Sequence, residues 1–263
     1  MKIWHMNGAG NDFMVMDARQ LELDLAQLAV TLCAESGADG FMAVDVAENA
    51  DFKLHFYNSD GSRGEMCGNG ARCICRFAFE HGLAGEQMTV ETDAGLVRGW
   101  RLAQNRYKVQ LTAPTNLDLN RKEDVAYVEV GCPHAVKAFS GDLWAQKDTL
   151  KEAMRALRFD PAFPKGANIN FYTWQAPDRV RILTFERGVE DFTLACGTGS
   201  GAVATVLWAQ GLVPQGKLEL ENPGGVLTVS LSGQQGQVQT LFLEGPAEVT
   251  QIWDWPEDGP LFL

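Results

Sequence analysis

Two short motifs hold the residues best able to do chemistry, Cys67-Gly68-Asn69-Gly70 and Cys196-Gly197-Thr198-Gly199. Each precedes a run that reads as a helix, 71–81 in the first case and 200–210 in the second. A helix start offers N–H groups without intrahelical acceptors and a partial positive charge, and glycines let a ligand approach that backbone, so each motif favours an anion. Neither has the Lys-Ser/Thr that follows the glycines of a P-loop, which directs the expectation away from nucleotides and toward a small carboxylate. A thiol at such a position is expected to have a lowered pKa and to act as a base or nucleophile near neutral pH. Two of them, one on each side of a bound carboxylate, describe a two-base stereoinversion in which one thiolate removes an α-proton and the other thiol returns a proton to the opposite face. A covalent role for one thiol is the alternative.

The elements that must position these thiols repeat. Cys67 and Cys196 stand half a chain apart, and Ala38-Asp39 with Ala167-Asn168, Phe56 with Phe185, and Glu91 with Glu221 keep that spacing to within a residue. Alternating or β-branched runs at 53–57, 88–92, 107–112, 180–185, 226–231 and 240–243 read as strands. Further helical stretches lie at 26–35 and 143–157. Many strands with one central helix per half give an α+β fold of two similar, pseudo-symmetric domains, each an antiparallel sheet around its helix. The expected domains are 1–116, carrying Cys67, and 117–263, carrying Cys196, joined near 117–124. Trp253 and Trp255 are expected to anchor the last residues against the first domain.

Composition narrows the partners. Among 263 residues, 22 Lys and Arg against 34 Asp and Glu leave a net charge of −12 with no basic run, which argues against nucleic acid. The N-terminus reaches Asn7-Gly8 too early for the apolar stretch of a signal peptide, so a cytoplasmic location is expected. The uncharged window 192–216 is broken by Gly, Ser, Thr, Gln and Pro and reads as a buried loop and helix, with no membrane span. Six cysteines in a reducing compartment should be free thiols, and without a Cys-x-x-Cys pair no metal is expected. Cys33, Cys73 and Cys75 read as packing residues.

Beyond these motifs, Asn7-Gly8-Ala9-Gly10-Asn11-Asp12-Phe13, Phe56-Tyr57-Asn58-Ser59-Asp60-Gly61-Ser62, Glu65-Met66-Cys67, Gly166-Ala167-Asn168-Ile169-Asn170-Phe171, Glu186-Arg187-Gly188 and Leu194-Ala195-Cys196 make nearly the whole chain resemble the diaminopimelate epimerases. That resemblance implies the epimerase fold and interconversion of LL- and meso-diaminopimelate without pyridoxal phosphate or any other cofactor. It also places the reaction in lysine and cell-wall precursor synthesis. Residue by residue, it implies that Cys67 and Cys196 are the acid/base pair and that the backbone amides of Gly68, Asn69, Gly197 and Thr198 meet the α-carboxylate. His134 and Glu186 would help to poise the thiols, while Asn11, Asn58, Asn168 and Arg187 would hold the distal end of the substrate. The expected partner is a small amino acid, with a homodimer left open. Read without the resemblance, Asn58 could simply form a turn, Glu186 and Arg187 a surface ion pair, and His134 a satisfied core histidine.

One position departs from the pattern. In Gly131-Cys132-Pro133-His134 the family usually has asparagine at Cys132, so an amide donor and acceptor are lost there. That leaves room for a racemase of the same fold acting on another amino acid such as histidine, and it places an oxidisable thiol near the site. A protein that binds an amino acid without chemistry is the reading from a different class.

Overall fold

The computed structural model describes residues 1–64, 67–234 and 237–255. Glu65 and Met66 of the first cysteine motif, and residues 256–263 of the tail expected to return to the first domain, lie outside the described residues. The chain divides into two compact units, Met1–Val109 with Gly245–Leu263, and Gln110–Glu244.

The first unit begins with antiparallel strands β1 (Lys2–Gly8) and β2 (Asn11–Asp17). Helix α1 (Leu25–Ser36) then leads to β3 (Gly40–Asp45), parallel to β2, and β4 (Phe52–Asn58) returns antiparallel. Helix α2 (Gly68–Glu80) leads to β5 (Gln87–Thr92), parallel to β4, with β6 (Gly95–Ala103) and β7 (Arg106–Gln110) completing an antiparallel meander. Parallel neighbours cannot be joined by a tight turn, so both helices are crossovers. The Asp24 carboxylate caps α1 by accepting the Gln27 N–H at 3.0 Å, and Gly37, at φ 73°, closes it in the left-handed conformation. Leu28, Ala29 and Leu32 of α1 are buried against Ile3, Met14, Met16 and Phe41.

The second unit follows the same order. After β8 (Thr115–Lys122), β9 (Val125–Val130) pairs antiparallel with β10 (Cys132–Ala138), and α3 (Lys147–Arg158) crosses to β11 (Asn168–Ala176), parallel to β10. Antiparallel to β11 runs β12 (Arg179–Glu186); the short β13 (Asp191–Thr193) and α4 (Gly197–Ala209) lead to β14 (Lys217–Asn222), parallel to β12. An antiparallel meander of β14, β15 (Gly225–Gln234) and β16 (Gln237–Pro246) ends it. The fold is α+β, and its sheets are mixed because α1 to α4, the helices among the described residues, act as crossovers. Equivalent parallel pairs even carry equivalent charges. Lys53 lies opposite Glu91 on β4 and β5, and Arg181 opposite Glu221 on β12 and β14, each ion pair at 3.4 Å.

Three details differ from the sequence reading. Most of 117–124 is strand β8, paired with β9, and not a joint; the units divide at Val109/Gln110 and Glu244/Gly245. The last strand, β17 (Glu248–Asp254), belongs to the first unit and not to 117–263, because it pairs antiparallel with β1; Trp253 and Trp255 pack against the α1 core, as expected of the returning tail. Helices α2 and α4 start three residues earlier than the apolar periodicity suggests, since their glycines form the first turn instead of preceding it. Within 192–216, Val203, Val206 and Leu207 of α4 are buried, and among the described residues no helix is long and apolar enough to cross a membrane.

Candidate functional site

Helices α2 and α4 begin identically. Cys67 and Cys196 are their N-cap residues in extended backbone, and each Sγ accepts the N–H three residues on, Gly70 or Gly199, at 3.3 Å. The cap carbonyl accepts the next N–H, Ala71 or Ser200, at 2.9 Å. Helix geometry then leaves the amides of Gly68, Asn69, Gly197 and Thr198 without intrahelical acceptors, at the four positions expected to meet a carboxylate. The glycines have steric reasons as well. A Cβ on Gly8 would lie 2.8 Å from the Asn69 carbonyl oxygen, so β1 can pass the start of α2 only as glycine. A Cβ on Gly199 would lie 2.3 Å from Asn170 Oδ1.

The two thiols have opposite electrostatic surroundings. Behind the half-buried Cys67, Arg72 is completely buried, its Nε donating to the Pro246 carbonyl at 3.1 Å and Nη1 to the Gly68 carbonyl at 3.2 Å. Its Nη2 has no hydrogen-bond partner among the described residues. Burial lowers the Arg72 pKa to about 10, partly offset by thiolate charge at Cys73 and Cys67, so the guanidinium stays cationic at neutral pH. Nothing in the sequence marks Arg72 as a site residue, because Arg76 repeats the cation on the same helix face four residues on. Cys196 is only 7% exposed. Burial first, and then the Glu186 carboxylate, push its thiol pKa up, against the smaller effects of the Thr198 hydroxyl and the Gly199 N–H. The expectation that a helix start lowers the thiol pKa is therefore corrected at Cys196, where desolvation outweighs the helix end.

Around Cys67, Asn11 Oδ1 accepts from Asn69 Nδ2, and Asn11 Nδ2 donates to Asp39 at 3.2 Å. Asn58 sits in the 58–62 turn, its Nδ2 donating to Ser62 Oγ at 3.0 Å. In the second unit a buried network surrounds His134. The Asn170 amide is oriented by donation from Thr184 Oγ1 to its Oδ1 at 2.9 Å, and its Nδ2 faces the carbonyls of Ala135 and Asn168. That Nδ2 also donates to His134 Nδ1 at 3.1 Å, which leaves the ring proton on Nε2, 3.3 Å from Cys132 Sγ. His134 thus reaches Cys132 and not Cys196. Burial, with help from Arg187, lowers its pKa to about 3, so it is neutral at physiological pH.

Cys132 Sγ also accepts from Asn168 Nδ2 at 3.2 Å and lies 3.8 Å from Thr198 Oγ1, which is in turn 3.5 Å from Cys196 Sγ. Asn168 Oδ1 accepts the Arg187 N–H at 2.8 Å, and Arg187 Nη1 donates to the Lys165 carbonyl at 3.0 Å. The rest of that guanidinium has donors for a carboxylate. Among the described residues no group of three or more His, Cys, Asp or Glu could hold a metal ion.

At the level of fold, the chain falls in the class of two-unit α+β proteins represented by a Bacillus anthracis phenazine biosynthesis protein of the PhzF family, with a TM-score of 0.73 at 15% identity covering 96% of this chain and 98% of that one. A hydroxyproline epimerase from Agrobacterium vitis, solved with bound trans-4-hydroxy-L-proline, aligns at a TM-score of 0.65 and 17% identity over 96% and 90% of the two chains. In sequence, the family model described as Diaminopimelate epimerase matches residues 3–115 and 126–250. The diaminopimelate epimerase of Aquifex aeolicus is 38% identical over 93% of this chain and 94% of its own length, and that of Chlorobaculum tepidum 34% identical over 92% and 96%. The chain belongs to the diaminopimelate epimerase family, and it is an isomerase.

Proposed function

We propose that the protein interconverts LL- and meso-diaminopimelate by a two-thiol proton transfer at Cα, without a cofactor, as a step of lysine biosynthesis. The observation that carries this reading is the pair of identical helix-capping thiols set in opposite charge. The buried Arg72 cation favours a thiolate at Cys67, while burial and Glu186 keep Cys196 as a thiol. At rest one group is therefore ready to take a proton and the other to give one, as an inversion requires. An α-proton beside an unactivated carboxylate is a very weak acid, so the charge that develops as it leaves needs fixed donors. The amides of Gly68, Asn69, Gly197 and Thr198 supply them. Arg187 can fork onto a second carboxylate, which this substrate has and a simple amino acid lacks, with Asn11, Asn58 and Asn168 holding the distal amino-acid end.

The test is proton NMR of the reduced protein in D₂O with LL-diaminopimelate and no added pyridoxal phosphate. Deuterium should enter at Cα as the meso isomer forms, and both should vanish in Cys67→Ala and in Cys196→Ala. Full activity in either variant would sink the two-thiol mechanism. Exchange with histidine or hydroxyproline alone would move the substrate, and silence across the panel would favour a binding protein.

A further inference from the structure

A two-base inversion leaves the enzyme in the wrong state for its next turnover: the base ends protonated and the acid ends as a thiolate. Cys196 is only 7% exposed, so its proton exchanges with bulk water more slowly than that of the half-buried Cys132. Beside it the structure holds a second sulfur and a hydroxyl in line, with Cys196 Sγ 3.5 Å from Thr198 Oγ1 and Thr198 Oγ1 3.8 Å from Cys132 Sγ. Cys132 is only half-buried and so remains within reach of solvent. Its sulfur receives the Asn168 Nδ2–H at 3.2 Å and faces the protonated Nε2 of His134 at 3.3 Å, two donors that stabilise a thiolate.

We propose that Cys132 is a positioning residue that holds a spare proton for Cys196 and exchanges it through the Thr198 hydroxyl. This rests on the two-thiol reading above. In the resetting step the Cys132 S–H bond breaks and its proton goes to Thr198 Oγ1. The original hydroxyl proton leaves that oxygen to form the Cys196 S–H bond. The Cys132 thiolate left behind, held by Asn168 and His134, regains a proton from solvent, and the reverse reaction runs the same two hops backward. The titratable and charged groups that face the pair are His134 on β10, and Glu186 and Arg187 at the end of β12. The neutral imidazole cannot compete as a proton source, and the Glu186 charge raises the need for one by favouring the protonated form of Cys196. Negative charge at Cys132 acts on Cys196 in the same direction, as the smallest of the influences on it.

Cys132→Ser keeps an acceptor for His134 and Asn168 but cannot ionise near neutral pH, whereas Cys132→Ala removes both properties. Slowed resetting shows in kcat and not in the first inversion, so both variants should lose about tenfold in kcat while kcat/KM and the rate of the first inversion stay at the wild-type level. Thr198→Val, which retains its backbone amide, should lose kcat similarly, and adding Cys132→Ser should deepen that loss no further. Wild-type kcat in Cys132→Ser, or equal losses in kcat and kcat/KM, would overturn the proposal and leave Cys132 a structural acceptor. A second readout needs no turnover. In Cys132→Ser the pH midpoint for iodoacetamide alkylation of Cys196, followed by mass spectrometry, should fall. An unchanged midpoint overturns the coupling even if the wild-type enzyme acts on another substrate, whereas a shifted midpoint without diaminopimelate turnover refutes only the substrate assignment.

Discussion

Single residues decide how alike the two thiols are. Arg72 is completely buried behind Cys67, so Arg72→Met should slow alkylation of Cys67 at neutral pH by about tenfold while leaving Cys196 unaffected. Equal alkylation rates in variant and wild type would remove the electrostatic basis for a resting thiolate there. His134 gives a second measurable effect. Its native pKa is held down to about 3, against about 6.5 in an unfolded chain, so only the unfolded state takes up the proton between those values. The contribution to stability is complete above about pH 6.5 and declines as pH falls toward 3, by about 1.4 kcal/mol per pH unit. His134→Gln should flatten the acid limb of unfolding stability against pH by one proton, which denaturant titrations at several pH values would detect. The sequence showed the two capping cysteines because type and spacing sufficed. Arg72, Asn170 and Thr184 were invisible as site residues, since their roles come from burial and from partners on other strands. The lowered thiol pKa was a reasonable expectation from the helix end alone; it failed at Cys196 because desolvation is a tertiary property.

At the scale of elements, the two cysteine helices look interchangeable in sequence and are not. A methyl group on Gly70 would meet Met42, Phe13 and Cys67 at 3.4 to 3.6 Å, which is ordinary contact. The same methyl on Gly199 would come within 2.3 Å of Asn170 Oδ1 and disturb the amide that fixes the His134 tautomer. Thermal unfolding should therefore find Gly70→Ala neutral or slightly stabilising, since alanine is the better helix former, and Gly199→Ala destabilised by about 1–3 kcal/mol. Equal effects at the two positions would mean that α4 can shift away from Asn170. The helices and the strands β4, β5, β7, β12, β15 and β16 were legible from periodicity, but β10 and β11, which carry Cys132, His134 and Asn168, and the starts of α2 and α4 were not. Glycine is a poor helix former, and the cap is made by sulfur, an acceptor that the usual Ser, Thr, Asp or Asn signal does not include.

For the whole molecule, the repeat was readable because four landmarks kept their spacing, while the division between units was not. It depends on β17 pairing with β1, and strand partners far apart in the chain leave no local signal. The returning segment also supplies the carbonyls of Pro246 and Ala247 to Arg72 Nε and Arg76 Nη1, at 3.1 and 2.7 Å. Removing residues 245–263 would strand a buried cation as well as a sheet edge, a loss of about 3–5 kcal/mol. Hydrogen exchange should then show lost amide protection in β1 and α2, with β10, β11 and β12 still protected. Unchanged protection in β1 would contradict the division.

That same returning strand imposes an order on biosynthesis. Residues 110–244 form one uninterrupted stretch and can reach their native arrangement as soon as they leave the ribosome, whereas the earlier-made residues 1–109 must wait for residues 248–254 to be translated. The part of the protein synthesised first is thus the part finished last, and in the interval the unpartnered edge of β1 is where a chaperone has most to protect.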